Sequence, residues 1–148
     1  MKSLNYSRLF LAALVMAVVF LISEFIIEGF AKAILGITEV GFLGNIHLTL
    51  SGFRYHAVNI TYFYSFCCLT MWLYASLRAK YESVRRSVLA TTLFLLAFEL
   101  LTAVNMVNIG LIPFAAGLTS VVFNVLELIP AIIVGATIYS AQENSLQE

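Results

Sequence analysis

Four long apolar stretches, separated by short polar breaks, dominate the chain. They predict membrane spans at about 9–30, 58–77, 87–109 and 113–140. At 1.5 Å of rise per residue, each is long enough for a helix to cross a hydrocarbon core of about 30 Å or to come close to doing so. The connection Asn108 to Pro113 is short and uncharged, so the third and fourth spans are expected to form a tight antiparallel hairpin, with Pro113 opening the next helix. Pro130 removes a backbone donor within the fourth span, and a kink is predicted there. The segment of about 31–57 is different. It holds Gly36, Gly41, Gly44 and Gly52, yet stays rich in Ile, Leu, Val and Phe. It reads as a stretch lying on or dipping into the membrane interface, with room for a short amphipathic helix or a lid.

The small and polar positions also keep a helical period. Ala13, Ala17, Glu24, Glu28 and Ala31 recur at steps of three, four or seven on the first span, so they share one face. Gly117, Ser120, Asn124, Glu127 and Ala131 do the same on the fourth. Small residues let helices approach closely in a membrane, so both stripes are expected to face protein. Lys32 follows Glu28 by four, the favourable order for an ion pair. On the second span Tyr62, Phe63, Tyr64 and Phe66 gather at one end, and Trp72 and Tyr74 stand near the other, as in interfacial aromatic belts.

Composition agrees with this pattern. The 148 residues are 61% hydrophobic and only 11% charged, whereas a water-facing surface needs about 25%. Mean hydropathy is +0.97. These values describe one integral membrane domain, 1–148, with no room for a separate soluble one. Basic and acidic residues balance, so no excess of positive charge points to nucleic acid. Lys2, Arg8, Arg78, Lys80, Arg85 and Arg86 fall on the side of both termini, and Lys32 and Arg54 on the other. The positive-inside rule then places the N and C termini in the cytoplasm. Lys2 and Arg8 before an apolar run, with Ala31-Lys32-Ala33 after it, mimic a leader peptide. The run is longer than an ordinary leader core, so an uncleaved first span is expected.

The chemistry concentrates in three acids. Glu24, Glu99 and Glu127 lie inside three different spans, with no Lys or Arg at their depth. Counting from the span ends puts Glu99 and Glu127 near the midplane and Glu24 somewhat outward of it. Left ionised and unpaired, the three would together cost roughly 8–10 kcal/mol on insertion scales, so they must be protonated, hydrated or bound to a cation. The leading reading is a small binding or transport-type bundle whose intramembrane site uses Glu24, Glu99 and Glu127, with Asn124 and Asn105 as hydrogen-bonding partners. The alternative is a structural or accessory subunit whose acids stay neutral and glue the helices together, with Thr102 as a further partner. A third is a membrane metalloenzyme. The chain gives the metalloenzyme little: His47 and His56 are nine apart and match no helical metal pair, and no phosphate loop or nucleophile elbow is present. Cys67 and Cys68 are adjacent within an apolar run and read as small buried thiols. No cofactor and no metal are expected. The expected partners are the lipid bilayer and further copies of the chain, because four short spans enclose little volume.

Some local strings resemble a known group. Ser23-Glu24-Phe25, the run Met71-Trp72-Leu73-Tyr74-Ala75-Ser76-Leu77-Arg78 before a basic turn, Leu126-Glu127-Leu128, and Gly135-Ala136-Thr137-Ile138-Tyr139 are similar to pieces of small four-span bacterial membrane proteins of uncharacterised activity. In that group an Asn stands three residues before the first-span acid, where this chain has Leu21. The resemblance covers most of the chain in layout. It implies a multi-pass protein of the bacterial inner membrane and carries no activity with it.

Overall fold

The four predicted spans are four helices. In the computed structural model, residues 5–35, 53–81 and 83–144 are described, and they form α1 (Tyr6–Leu35), α2 (Phe53–Tyr81), α3 (Val84–Asn108) and α4 (Phe114–Asn144). Each contains a segment long and apolar enough to cross a membrane: Tyr6–Ile27, Ile60–Tyr81, Val84–Asn108 and Phe114–Ala141. α1, α2 and α4 run past the apolar stretches that predicted them, because a helix satisfies its own backbone whether lipid or water surrounds it. Residues 31–35 and 53–57 therefore belong to α1 and α2 rather than to an interfacial connection. The rest of that connection, with His47 and its expected lid or amphipathic helix, lies outside the described residues.

Local signals mark the helix ends. The side chain of Asn5 caps α1, its Oδ1 accepting from the Ser7 hydroxyl at 2.8 Å and the Arg8 amide at 3.3 Å. α3 closes with Gly110 in the left-handed region at φ 76°. There the Gly110 amide donates to the Val107 carbonyl and the Leu111 amide to the Met106 carbonyl, the paired bonds of a Schellman stop. The Pro113 carbonyl accepts from the Gly117 amide and starts α4, which continues through Pro130.

The helices form a ring in which each packs on its sequence neighbours and α4 closes against α1. α4 is the hub. It packs most extensively on α1, then on α3, and touches α2 across the diagonal, whereas the described parts of α1 and α3 do not meet. Phe20 stacks edge-on against Phe63 at 4.8 Å, while Met16 and Met71 meet beside Gly135. Numbering thus rises along α1 as it falls along α2, which makes the pair antiparallel. The two tight turns that follow reverse the chain twice, so α4 runs parallel to α2 and antiparallel to α1.

Burial is concentrated at the end that carries both termini. Ala12, Ala13, Met16, Cys67, Met71, Tyr74, Ala131, Ile132 and Ala136 are all sealed there. Met16, Met71 and Gly135 make a tight crossing: a Cβ on Gly135 would stand 2.8 Å from Met71 Sδ and 3.2 Å from Met16 Cβ. Near the same end the hydroxyls of Tyr74 and Ser140 bond at 2.9 Å, and the Tyr74 and Tyr139 rings meet edge-on at 5.9 Å. Toward the α3–α4 turn the apolar side chains face outward, Phe25, Leu101 and Phe114 among them. On a membrane protein that surface is lipid-facing and needs no aqueous cover.

Candidate functional site

Above the sealed end the α4 stripe turns polar. Gly117, Val121, Glu127, Leu128, Ala131 and Gly135 are buried and Ser120 and Asn124 half-buried, so the face expected to look into protein does so. Gly135 continues that stripe four residues beyond Ala131. This small-residue spacing signals a close crossing, and the stripe as read from sequence stopped one turn short of it.

Glu127 is 7% exposed, the one buried acid among the described residues. One turn away on the same face of α4, Asn124 reaches α3, where its Nδ2 donates to Oε2 of Glu99 at 3.2 Å. Glu99 is itself half-buried. Asn124 and Glu99 therefore form a direct polar contact across the α3–α4 seam.

Glu24 is placed by register. From the crossing at Met16 and Gly135, eight residues along α1 lead to Glu24, and eight residues back along antiparallel α4 lead to Glu127. Each step is about 12 Å, so the two acids stand level. Counting from span ends had set Glu24 further outward; the helices extend beyond their apolar stretches, which makes span ends poor rulers. Asn124 and its bond to Glu99 lie about 4.5 Å above Glu127 along α4, so the three acids occupy one layer of the bundle. They do not share one environment: Glu127 is enclosed, Glu99 is half-enclosed and Glu24 is exposed. The α1 stripe meets the bundle at Ala13 and Ala17 and leaves it by Glu24, while the side chains of Glu28 and Lys32 lie outside the described residues.

Asn105 does not join this layer. It is exposed, about 9 Å further along α3 than Glu99. The Thr102 hydroxyl donates to the Phe98 carbonyl at 2.9 Å. The hydroxyls of Thr61, Ser76, Ser87, Thr91, Thr119 and Thr137 likewise bond the carbonyl four residues back, as hydroxyls in apolar surroundings commonly do. Thr70 is buried without such a bond. It is 1% exposed, and its Oγ1 has no hydrogen-bond partner.

Among the described residues, no three His, Cys, Asp or Glu side chains come together as a metal site. Cys67 is buried, Cys68 half-buried, and both are free thiols.

No family model matches the chain, and neither does any curated protein or solved structure. Four membrane-length helices and an acid layer between them are thus the whole basis for a functional reading.

Proposed function

We propose that this is a multi-pass protein of a bacterial inner membrane, with both termini cytoplasmic, that binds and passes on a proton or small cation through an intramembrane carboxyl layer. Glu127 is the enclosed exchanging group. Glu99 is the second, held in place by Asn124, and Glu24 stands level with Glu127 at the edge of the bundle. The observation that carries the reading is the burial of Glu127 at the middle of its span, level with Glu24 and one turn from the Asn124–Glu99 bond. An ionised carboxylate at such depth costs about 2.5–3.5 kcal/mol on insertion scales. The group therefore carries a proton or exchanges it for another cation when water or substrate reaches it.

Self-association fits this reading. Glu24 is exposed on a membrane helix, and a second copy of the chain would cover it at lower cost than lipid. The Asn124–Glu99 bond also supports a second reading, in which the carboxyl groups are permanently neutral and hold the helices together.

An apolar carbodiimide separates the two, because it modifies protonated carboxyl groups that water does not reach. Peptide mapping is expected to find modification at Glu127, with its extent falling as pH is raised. Modification that ignores pH assigns the acids to the structural role.

A further inference from the structure

The chain is most basic at the end of the bundle that carries both termini. From the crossing at Met16 and Met71, eight residues back along α1 lead to Arg8, and eight forward along α2 lead to Ala79, between Arg78 and Lys80. Each step is about 12 Å, so these three cations stand level. A turn of two residues then leads into α3, whose first turn holds Arg85 and Arg86. Register and topology thus gather five cations from three helices at one end. Glu82 and Glu143 belong to the same end; their side chains lie outside the described residues, and the cations outnumber them.

The cations differ in setting. Arg8 and Arg78 are half-buried, whereas Lys80, Arg85 and Arg86 are exposed. Lys80 stands in the last turn of α2, where the helix dipole favours a cation. Arg85 and Arg86 have the opposite placement. The first turn of α3 is where the dipole favours an anion, yet no acid stands there, and the Ser83 side chain makes no capping bond. An anion at this turn would be met by the dipole, by amides that have no partner within the helix, and by two guanidinium groups. These residues also bound two membrane-length segments, Ile60–Tyr81 and Val84–Asn108, which sets them at the level where a bilayer presents its headgroups. Leu89 and Leu93 follow Arg85 at steps of four and are 60% and 55% exposed, so the face that carries Arg85 continues as a lipid-facing apolar stripe.

We infer that the α2–α3 turn binds the phosphodiester headgroup of an anionic phospholipid, whose acyl chains lie along the Leu89 and Leu93 face of α3. Charge selects the headgroup. Arg85 and Arg86 offer fork-shaped donors that match phosphate oxygens, and Lys80 adds a third exposed cation. A zwitterionic lipid brings an ammonium group to the same place, where it meets like charge. The apolar stripe selects a lipid over a soluble phosphate, because one molecule then meets both surfaces. The inference does not depend on the carboxyl layer: a protein with permanently neutral acids would bind the lipid equally.

The experiment uses the full chain in detergent micelles with equal amounts of phosphatidylglycerol and phosphatidylcholine of identical acyl chains. Native mass spectrometry counts the lipids that stay bound. The anionic lipid is expected to exceed the zwitterionic one at least about fivefold, the factor that one cation near a membrane surface provides. Arg85→Gln combined with Arg86→Gln removes two exposed side chains, leaves the packing intact and should bring the ratio close to one. A second variant adds Gln142→Lys and Gln147→Lys to that pair, which restores the net charge in the C-terminal tail instead of the turn, and it should show the same loss. A preference that returns with the relocated charge reports a general surface potential and overturns the inference. So does a preference that survives the double substitution, or equal binding of both lipids to the unaltered protein. Excess inorganic phosphate, set against chloride at matched ionic strength, should leave the lipid bound; displacement would assign the turn to a soluble phosphate and overturn the lipid.

Discussion

Asn124 on α4 donates a hydrogen bond to Glu99 on α3 at 3.2 Å, the direct side-chain bond that ties these two helices at the level of the acid layer. Replacing Asn124 with Leu keeps its bulk and removes the donor. Interhelical hydrogen bonds in membranes average about 0.6 kcal/mol and reach about 1.7, so the loss of stability should fall in that range, not at the larger cost of a fully buried unpaired group. Unfolding in mixed detergent micelles gives the value. A double-mutant cycle with Glu99→Leu should return a coupling of the same size, and a coupling of zero would mean that the bond is not made in solution.

At Gly135, α4 meets α1 and α2 together. Gly135→Ala puts a methyl group within overlap distance of Met71 Sδ and Met16 Cβ, both on fully buried residues. Met71 can turn its sulfur aside, but Met16 Cβ is fixed to its backbone, so a net overpacking cost of about 1–3 kcal/mol is expected. Thermal unfolding in detergent should show a lower midpoint. If the midpoint is unchanged, the crossing is looser than described, and the register that levels Glu24 with Glu127 loses its anchor.

Gly110 isolates a backbone effect. Nothing lies within 4 Å of a Cβ built there, so Gly110→Ala meets no steric obstacle. Its φ of 76° remains, and a left-handed residue with a side chain costs about 1–2 kcal/mol. Gly110→Asn should recover part of the loss, because Asn tolerates that conformation better. Equal stability of the Ala and Asn variants would contradict the Schellman stop.

Thr70 gives a prediction of the opposite sign. Its hydroxyl is buried without a partner, so Thr70→Val exchanges an unsatisfied polar group for a methyl of similar volume. Removing such a group typically recovers about 1–3 kcal/mol, and the unfolding midpoint should rise. A fall would show that the hydroxyl makes a bond in the folded protein.

The helices and the inward face of α4 were legible because both depend on one period. Apolar runs longer than a bilayer is thick, and a stripe of small and polar residues at steps of three and four, are readable without knowing any neighbour. The pairing of Asn124 with Glu99 was within reach for the same reason: both sit at similar depth on helices joined by a short turn. What the period could not give was lateral position. Ala17 and Glu24 share a face of α1, yet one is buried and the other exposed, because the face leaves the bundle between them. Asn105 and Glu99 lie on the same helix, but Glu99 bonds to α4 while Asn105 is exposed. The Gly135 crossing needs three helices at once.

The central claim is that carboxyl groups in this layer exchange protons within the membrane, and infrared spectroscopy of the protein in nanodiscs tests it most directly. A protonated carboxyl group absorbs at a carbonyl frequency that a carboxylate lacks, and substitution by Gln removes that absorption. The account predicts a carbonyl band that decreases reversibly as pH rises and is diminished by Glu127→Gln, in a variant that keeps its helical content. A band that persists unchanged across the pH range, or one that this substitution leaves unaltered, would contradict it.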